Sequence, residues 1–152
     1  MEVIISVAVI TTAIVASVTL ITLSVSAVRA GKNRTIAVHL AQEGIEIVKS
    51  IRDSNWLNYK RGADWTDDLE EGDYRIQYND LVLRPFLDIP LKKDSNGFYQ
   101  YDSGSDTLFY RKISITHIGD DQIKVVAEIA WQERRKTNTL QAEDRLYNWL
   151  KE

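Results

Sequence analysis

Hydrophobic and polar positions divide the chain into three stretches that differ in periodicity. From Val3 to Val28 the chain is continuously uncharged, and from Thr35 to Ser54 apolar residues recur at helical spacing. After Asn55 short segments alternate between apolar and polar residues, which is typical of strands. One helical part followed by an antiparallel sheet predicts an α+β fold.

The first stretch has the properties of a transmembrane helix. Its 26 residues include eight Ser or Thr and 18 Ala, Val, Ile or Leu, with no Gly or Pro. At ~1.5 Å per residue they form a helix of about 39 Å, longer than a hydrocarbon core of roughly 30 Å. A signal peptide has a shorter apolar core behind a basic head. In lipid a single segment satisfies its backbone only as a helix, despite many β-branched residues.

The second stretch continues the same helix as an amphipathic half. Gly31 and Gly44 weaken a helix by roughly 1 kcal/mol each relative to Ala, but neither must break it. The pattern predicts one helix from about Val3 to Ser54, ending at a turn formed by Asp53-Ser54-Asn55. The apolar positions that repeat at helical spacing are Ile36, Leu40, Ile47, Val48 and Ile51.

The third stretch predicts an antiparallel sheet. Gly119-Asp120-Asp121 separates the two longest alternating runs and is expected to turn a hairpin. The final segment, ending at Trp149, is compatible with either a strand or a helix. Asn96-Gly97 and Ser103-Gly104 are further turn signals. The alternating positions are Tyr74, Ile76 and Tyr78, then Phe109, Arg111, Ile113 and Ile115, then Ile123, Val125, Ala127, Ile129 and Trp131.

These stretches give three predicted regions: a membrane half of the helix at 1–28, an amphipathic half at 29–55 and a globular sheet domain at 56–152. Arg29, Lys32 and Arg34 follow the apolar run, while nothing basic precedes it except the terminal amine. The positive-inside rule would therefore leave the C-terminal domain in the cytoplasm, unless a basic leader belongs ahead of Met1.

Composition argues against an enzyme. The chain has no Cys, so it has no disulfide, thiolate metal site or Cys nucleophile. His39 and His117 lie far apart without a local metal-binding pattern, which favours structural roles. The seven glycines form no phosphate-binding or nucleophile-elbow motif. We therefore expect no catalytic residue, cofactor or resident metal.

Two charged segments have weaker functional interpretations. The stretch Asp64–Asp73 holds six acids and no base, and Asp102 and Asp106 flank a turn. Such loops can bind calcium, but these lack the ligand order of an EF-hand and are usually just solvated. Lys92-Lys93 and Arg134-Arg135-Lys136 could contact nucleic acid. The net charge of -3 argues against that partner.

Glu2 is the most informative acid because it directly precedes the apolar run. The residues alone allow two interpretations. The carboxylate can remain among lipid headgroups at little cost. Alternatively it is buried when helices bundle, where it needs a positive partner such as the terminal amine of a neighbouring helix.

A family resemblance favours the second interpretation. Met1-Glu2-Val3-Ile4-Ile5 leading into an uncharged helix resembles the start of type IV pilins and type II secretion pseudopilins. The segments Leu40-Ala41-Gln42-Glu43-Gly44-Ile45-Glu46 and Ile51-Arg52-Asp53-Ser54-Asn55 are similar to the helix of minor-pilin-like proteins. Trp131-Gln132-Glu133-Arg134 through Leu146-Tyr147-Asn148-Trp149 resembles the closing strands of those proteins, which favours a strand for the final segment.

The resemblance implies a pilin-like fold and a function in assembly, with Glu2 as the assembly residue. The implied partners are other pilin subunits, an inner-membrane assembly platform, a prepilin peptidase, and lipid before assembly. The implied location is the inner membrane, single pass, with the C-terminal domain outside the cytoplasm and then in a periplasmic or extracellular filament.

Two family features do not match this sequence. The family's basic leader and cleavage glycine do not precede Met1, which suggests a start at an internal Met or a copy that is not processed. The positive-inside rule alone places the C-terminal domain in the cytoplasm, whereas the resemblance places it outside. A basic leader would resolve this conflict, because its charges would hold the N-terminus in the cytoplasm. The C-terminal disulfide of some branches cannot form, because the chain has no Cys.

The alternative to a pilin or pseudopilin is a single-pass, membrane-anchored binding or sensor domain that does not polymerise.

Overall fold

A computed structural model shows one long helix followed by eight strands and describes residues 1–58, 64–133 and 136–149. The chain forms two compact units, Met1–Thr35 and Ile36–Glu152, and the helix α1 contributes to both. The elements are α1 (Glu2–Asn58), β1 (Gly72–Arg75), β2 (Arg84–Pro85), β3 (Lys92–Lys93), β4 (Tyr99–Gln100), β5 (Ser105–Asp106), β6 (Phe109–His117), β7 (Gln122–Glu133) and β8 (Lys136–Tyr147).

The predicted single helix is confirmed, but its predicted end is wrong. The structure continues α1 through Asp53-Ser54-Asn55 to Asn58 instead of turning there. The Ser54 hydroxyl donates to the carbonyl of Ser50, and the Asn58 amide donates to the carbonyl of Ser54 at 3.0 Å. These side chains bond back to the preceding helical turn, so residues that usually favour turns are compatible with the helix here.

The main sheet has five antiparallel strands in the order β2-β1-β6-β7-β8. The predicted hairpin between β6 and β7 is confirmed, and Gly119 occupies the left-handed region with φ 67°. The alternation of buried and half-buried residues along β6 and β7 matches the sequence pattern. The final segment is a strand, β8, paired along its whole length with β7.

The predicted strand through Tyr74, Ile76 and Tyr78 is only partly present. β1 ends at Arg75, and the chain enters a turn in which the amide of Asp80 donates to the carbonyl of Gln77 at 3.0 Å. Ile76 is nonetheless fully buried in the core. Burial of that side chain therefore does not depend on strand pairing.

The second compact unit has one hydrophobic core between α1 and the main sheet. Gly44 permits close contact, because a Cβ at that position would lie 2.7 Å from Cδ1 of Ile113. The predicted helix face is correct: Leu40, Val48 and Ile51 are buried, and Ile36 and Ile47 pack partly buried against the core. A smaller three-stranded sheet, in the order β4-β3-β5, completes the unit.

Candidate functional site

The candidate site is the exposed apolar part of α1, because none of its large side chains is covered within the first compact unit. The exposed fraction is 75% for Val3, 58% for Ile10 and 68% for Val28. This is the one helix in the described residues that is long and apolar enough to cross a membrane. A continuous exposed apolar surface of this size is typical of a site that interacts with lipid or with other proteins.

The hydroxyl groups of this segment are bonded within the helix. Seven of the eight donate to a backbone carbonyl one turn earlier; Thr12, for example, donates to Ala8 at 2.8 Å. An internally satisfied hydroxyl costs little in hydrocarbon, so the segment is suited to lipid even as a monomer. The hydroxyls bonded in this way are those of Ser6, Thr11, Thr12, Ser17, Thr19, Thr22 and Ser26.

The apolar part of α1 has two different sides. Ala8, Thr12 and Ala16 follow one another at intervals of four residues and line a shallow groove between larger side chains. At about 100° per residue, the opposite side carries a ridge of β-branched residues. We call these the groove and the ridge. The ridge consists of Val3, Val7, Ile10 and Ile14, all exposed.

Glu2 is the first residue of α1 and its side chain is exposed. In the described part of the chain its carboxylate makes no hydrogen bond or ion pair. A carboxylate in the first turn interacts favourably with the exposed N–H groups of the helix, typically by less than about 1 kcal/mol. The carboxylate therefore remains available for a positive group from outside the chain.

The second unit contains a buried charged residue that the sequence patterns did not single out as functional. Arg111 lies on β6, is 1% exposed, and points from the sheet towards α1. Its Nη1 donates to the carbonyl of Leu40 at 3.1 Å and to Oε1 of Glu43 at 2.9 Å. Its Nη2 donates to the carbonyl of Ile76. The guanidinium therefore joins the helix, the central strand and the chain after β1.

A second polar network continues from this position. The Gln77 amide oxygen accepts from the backbone N–H of Tyr101 at 2.7 Å, and its nitrogen donates to Asp102 at 2.6 Å. The hydroxyl of Tyr101 donates to the carbonyl of Arg111 at 3.2 Å, and burial raises the pKa of that phenol. The contact with Gln77 lowers the pKa of Asp102. These are structural contacts that anchor the loops to the core.

The acids between 64 and 73 mostly bond within the fold. Oδ1 of Asp64 accepts from the backbone N–H and the hydroxyl of Thr66, which lowers the pKa of Asp64. Oδ2 of Asp67 accepts from the N–H of Asp64 at 2.8 Å. Oδ1 of Asp73 accepts from the Ser114 hydroxyl at 2.5 Å. Among the described residues no group of three or more acids and histidines is arranged to hold a metal ion.

The two histidines lie in different surroundings. His39 is exposed on α1, whereas Nε2 of His117 lies 2.7 Å from the carbonyl of Leu69. Since a carbonyl only accepts, that nitrogen carries the proton. The backbone N–H of His117 also donates to Glu71 at 2.8 Å. His117 therefore ties the end of β6 to the acidic loop, a structural role.

Of the basic positions that could contact nucleic acid, the structure describes Lys92, Lys93 and Lys136. Lys92 and Lys93 form β3, and Nζ of Lys93 lies 5.7 Å from the ring centre of Tyr99. Arg134 and Arg135 lie outside the described residues, and Lys136 begins β8. The nucleic-acid interpretation thus gains no geometric support from this part of the chain.

No protein-family model, curated protein or solved structure matches the chain.

Proposed function

We propose that the chain is a minor pilin or pseudopilin, a structural subunit of a type IV pilus-like or type II secretion-like filament, and not an enzyme. The observation that carries this proposal is the two-sided apolar part of α1. A groove of small side chains lets another helix approach closely, and a ridge of branched side chains is the shape that fills such a groove.

The placement of the two surfaces favours polymerisation over simple dimerisation. Groove and ridge lie on opposite sides of one helix, so a subunit can contact one neighbour with each. A contact between unlike surfaces is heterologous, and repeated contacts of this kind build a ring or, when the rotation does not close, a helical filament. A helix that only anchors a domain has no need of two complementary sides.

Glu2 gives the proposed contact its register. When helices bundle, its carboxylate leaves water and must find a positive group, such as the terminal amine of a neighbouring helix. The unit from Ile36 onward then forms the outer surface of the filament. Before assembly the same helix lies in the inner membrane, where the internal hydroxyl bonds suit lipid.

Glu2 variants test this proposal in cells that assemble such filaments, with the chain expressed behind a prepilin leader. Glu2→Gln and Glu2→Ala should leave membrane levels and topology unchanged and reduce recovery in sheared filaments at least tenfold. Glu46→Gln, an acid-to-amide change on the exposed side of α1, is the matched control. Equal recovery of the Glu2 variants and the wild type would contradict the role of Glu2.

Groove variants test the helix contact independently. Thr12→Leu fills the groove, and because it makes the segment more apolar it should insert at least as well as the wild type. Its recovery in filaments should fall, whereas the ridge change Ile10→Leu keeps the volume and should have little effect. The alternative, a membrane-anchored binding or sensor domain, predicts that neither wild type nor variant occurs in filaments.

A further inference from the structure

The outer edge of β8 is a long strand edge with unpaired backbone groups. β8 is the last strand of the main sheet, and no strand of the described residues lies beyond it. Its 12 residues pair one-to-one with β7, without a bulge. The other edge of the same sheet is β2, which is two residues long and contains Pro85. Only the β8 edge can therefore accept a long strand.

The hydrogen bonding at the end of β8 identifies the residues whose backbone points outward. The N–H of Asn148 donates to the carbonyl of Asp121 at 2.9 Å, on the side of β7. Because backbone direction alternates along an antiparallel strand, the even-numbered residues of β8 face β7 and the odd-numbered residues face the free edge. The backbone N–H of Arg145 is consistent with this assignment, because it donates to Oδ1 of the neighbouring Asp144 at 2.8 Å and not to β7.

The middle of this edge lacks the usual protection against pairing. Proteins commonly block long edges with charged residues, proline or bulges. Residues 137–142 contain none of these features. Their side chains are exposed or half-buried, and the odd-numbered ones, Thr137, Thr139 and Gln141, are exposed.

We infer that the outer edge of β8 is a strand-pairing surface and that its partner is β8 of a second copy of this chain, added antiparallel with Gln141 opposite Gln141. Two free edges can bond only through residues whose backbone N–H and C=O groups face outward. The odd-numbered residues of one β8 must therefore lie opposite odd-numbered residues of the other. This register places Glu143 opposite Thr139 and Arg145 opposite Thr137. No like charges face each other, and Leu140 meets Ala142 on the core side.

The symmetry of this pair separates it from filament assembly. The two-fold axis of two antiparallel strands in one sheet is perpendicular to the sheet, so the helices packed on the two sheets run in opposite directions. Neighbours in one filament run in the same direction and cannot pair in this way. The β8 contact is therefore distinct from any contact between neighbours of one filament, and the pairing of two copies does not depend on the proposed function.

Single cysteines test the pairing and its register, since the chain has no Cys of its own. The full chain is purified in mild detergent as Gln141→Cys or Thr139→Cys and oxidised. Opposed residues at 141 have Cα atoms about 5.5 Å apart, within disulfide range. The two residues at 139 are about 14 Å apart in this register, which is too far.

We expect Gln141→Cys to give a covalent dimer at least about tenfold more efficiently than the Thr139→Cys control. Equal cross-linking at both positions, or none at either, would overturn the proposed register and partner.

Backbone variants separate strand pairing from association through the apolar helix in detergent. Thr139→Pro removes an outward N–H without removing a bond to β7, so it should abolish the dimer in light-scattering mass measurements while the melting temperature stays high. If Thr139→Pro fails to fold, Gln141→Lys places two like charges opposite each other and should also give a monomer. A dimer that persists in both folded variants would rule out β8 as the contact.

Discussion

The guanidinium of Arg111 and the carboxylate of Glu43 form an ion pair of 2.9 Å between the central strand and the helix. The side chain of Arg111 is fully buried, whereas that of Glu43 is 33% exposed. Glu43 directly precedes Gly44, where an added Cβ would lie only 2.7 Å from Cδ1 of Ile113 on the same strand as Arg111. The same small region of the interface therefore provides close packing and the charge partner of a buried cation.

Removal of the Glu43 charge should destabilise the fold substantially. Glu43→Gln retains an acceptor but leaves the buried guanidinium without a counter-charge, and we expect a loss of about 2–4 kcal/mol of unfolding free energy. The control Glu46→Gln changes an exposed acid on the same helix and should cost less than about 0.5 kcal/mol.

Chemical denaturation measures both variants, and combination with Arg111→Met should cost less than the two single changes summed. Strict additivity would contradict the proposed coupling.

The close approach at Gly44 makes a specific packing prediction. Gly44→Ala gains about 1 kcal/mol of helix propensity but places a Cβ against Ile113, where overpacking typically costs about 1–3 kcal/mol. We expect net destabilisation in the wild type and none in an Ile113→Val background, which lacks the obstructing Cδ1. Gly31→Ala, where no atom lies within 4 Å, should be neutral or stabilising. The melting temperatures of Gly44→Ala, Ile113→Val, their combination and Gly31→Ala test this prediction. A Gly44→Ala variant that is more stable than the wild type would refute the close contact with Ile113.

Trp131 should contribute far more to stability than Trp149. Trp131 is 6% exposed and its ring centre lies 6.2 Å from that of Phe109, whereas Trp149 is 67% exposed. We expect Trp131→Ala to cost about 3–5 kcal/mol. Trp149→Ala loses mainly its edge contact with Trp56 and should cost about 1 kcal/mol. Comparable losses in urea titrations would mean that the exposed residue is as important as the buried one.

The ion pair between α1 and β8 predicts a limited pH dependence. Nζ of Lys49 lies 2.8 Å from Oδ2 of Asp144. This hydrogen bond lowers the pKa of Asp144 below 3.8 and raises the pKa of Lys49 above 10.5. The folding stability that Asp144 contributes is therefore fully present above pH 3.8 and is lost as the pH falls through the lowered pKa of Asp144. The stability that Lys49 contributes is lost as the pH rises through the raised pKa of Lys49.

Asp144→Asn tests this pair. Because about a third of each side chain is exposed, the variant should lose less than about 1 kcal/mol at pH 7, and the difference from wild type should vanish in strong acid. Unfolding measured from pH 2 to pH 7 checks the trend. A difference in unfolding free energy between variant and wild type that grows towards acid pH would contradict this prediction.

The second compact unit should fold without the apolar part of the helix but not without α1 altogether. A fragment of residues 29–152 retains every buried residue of the core, whereas one starting at Trp56 lacks the buried helix face that covers the sheet. We expect the longer fragment to be soluble and to melt cooperatively. Equal thermal stability of the two fragments would contradict the packing of α1 on the sheet.

The sequence predicted the elements whose pattern arises from local chemistry. An uncharged run of 26 residues favours a helix in any environment without water, and alternation in β6 and β7 reflects burial of one sheet face. The exposed apolar segment could be identified for the same reason, whereas the role predicted for Glu2 came from the family resemblance and not from a local pattern. The alternation also placed Arg111 on the inward side of β6, which was the available signal for a buried charge.

Other features depend on contacts between residues far apart in the chain. The helix continues to Asn58 because α1 packs against the core and Asn55 bonds to the backbone of Trp65 and Asp67, which local turn propensity cannot reveal. The partner of Arg111 is 68 residues away, and its identity follows from how the helix crosses the sheet. β8 is an edge strand because of the strand order of the main sheet. That strand order is set by pairing energies across the whole sheet rather than by any local sequence pattern. Periodicity thus reports which side of an element is buried, while the partners that bury it are set by packing in three dimensions.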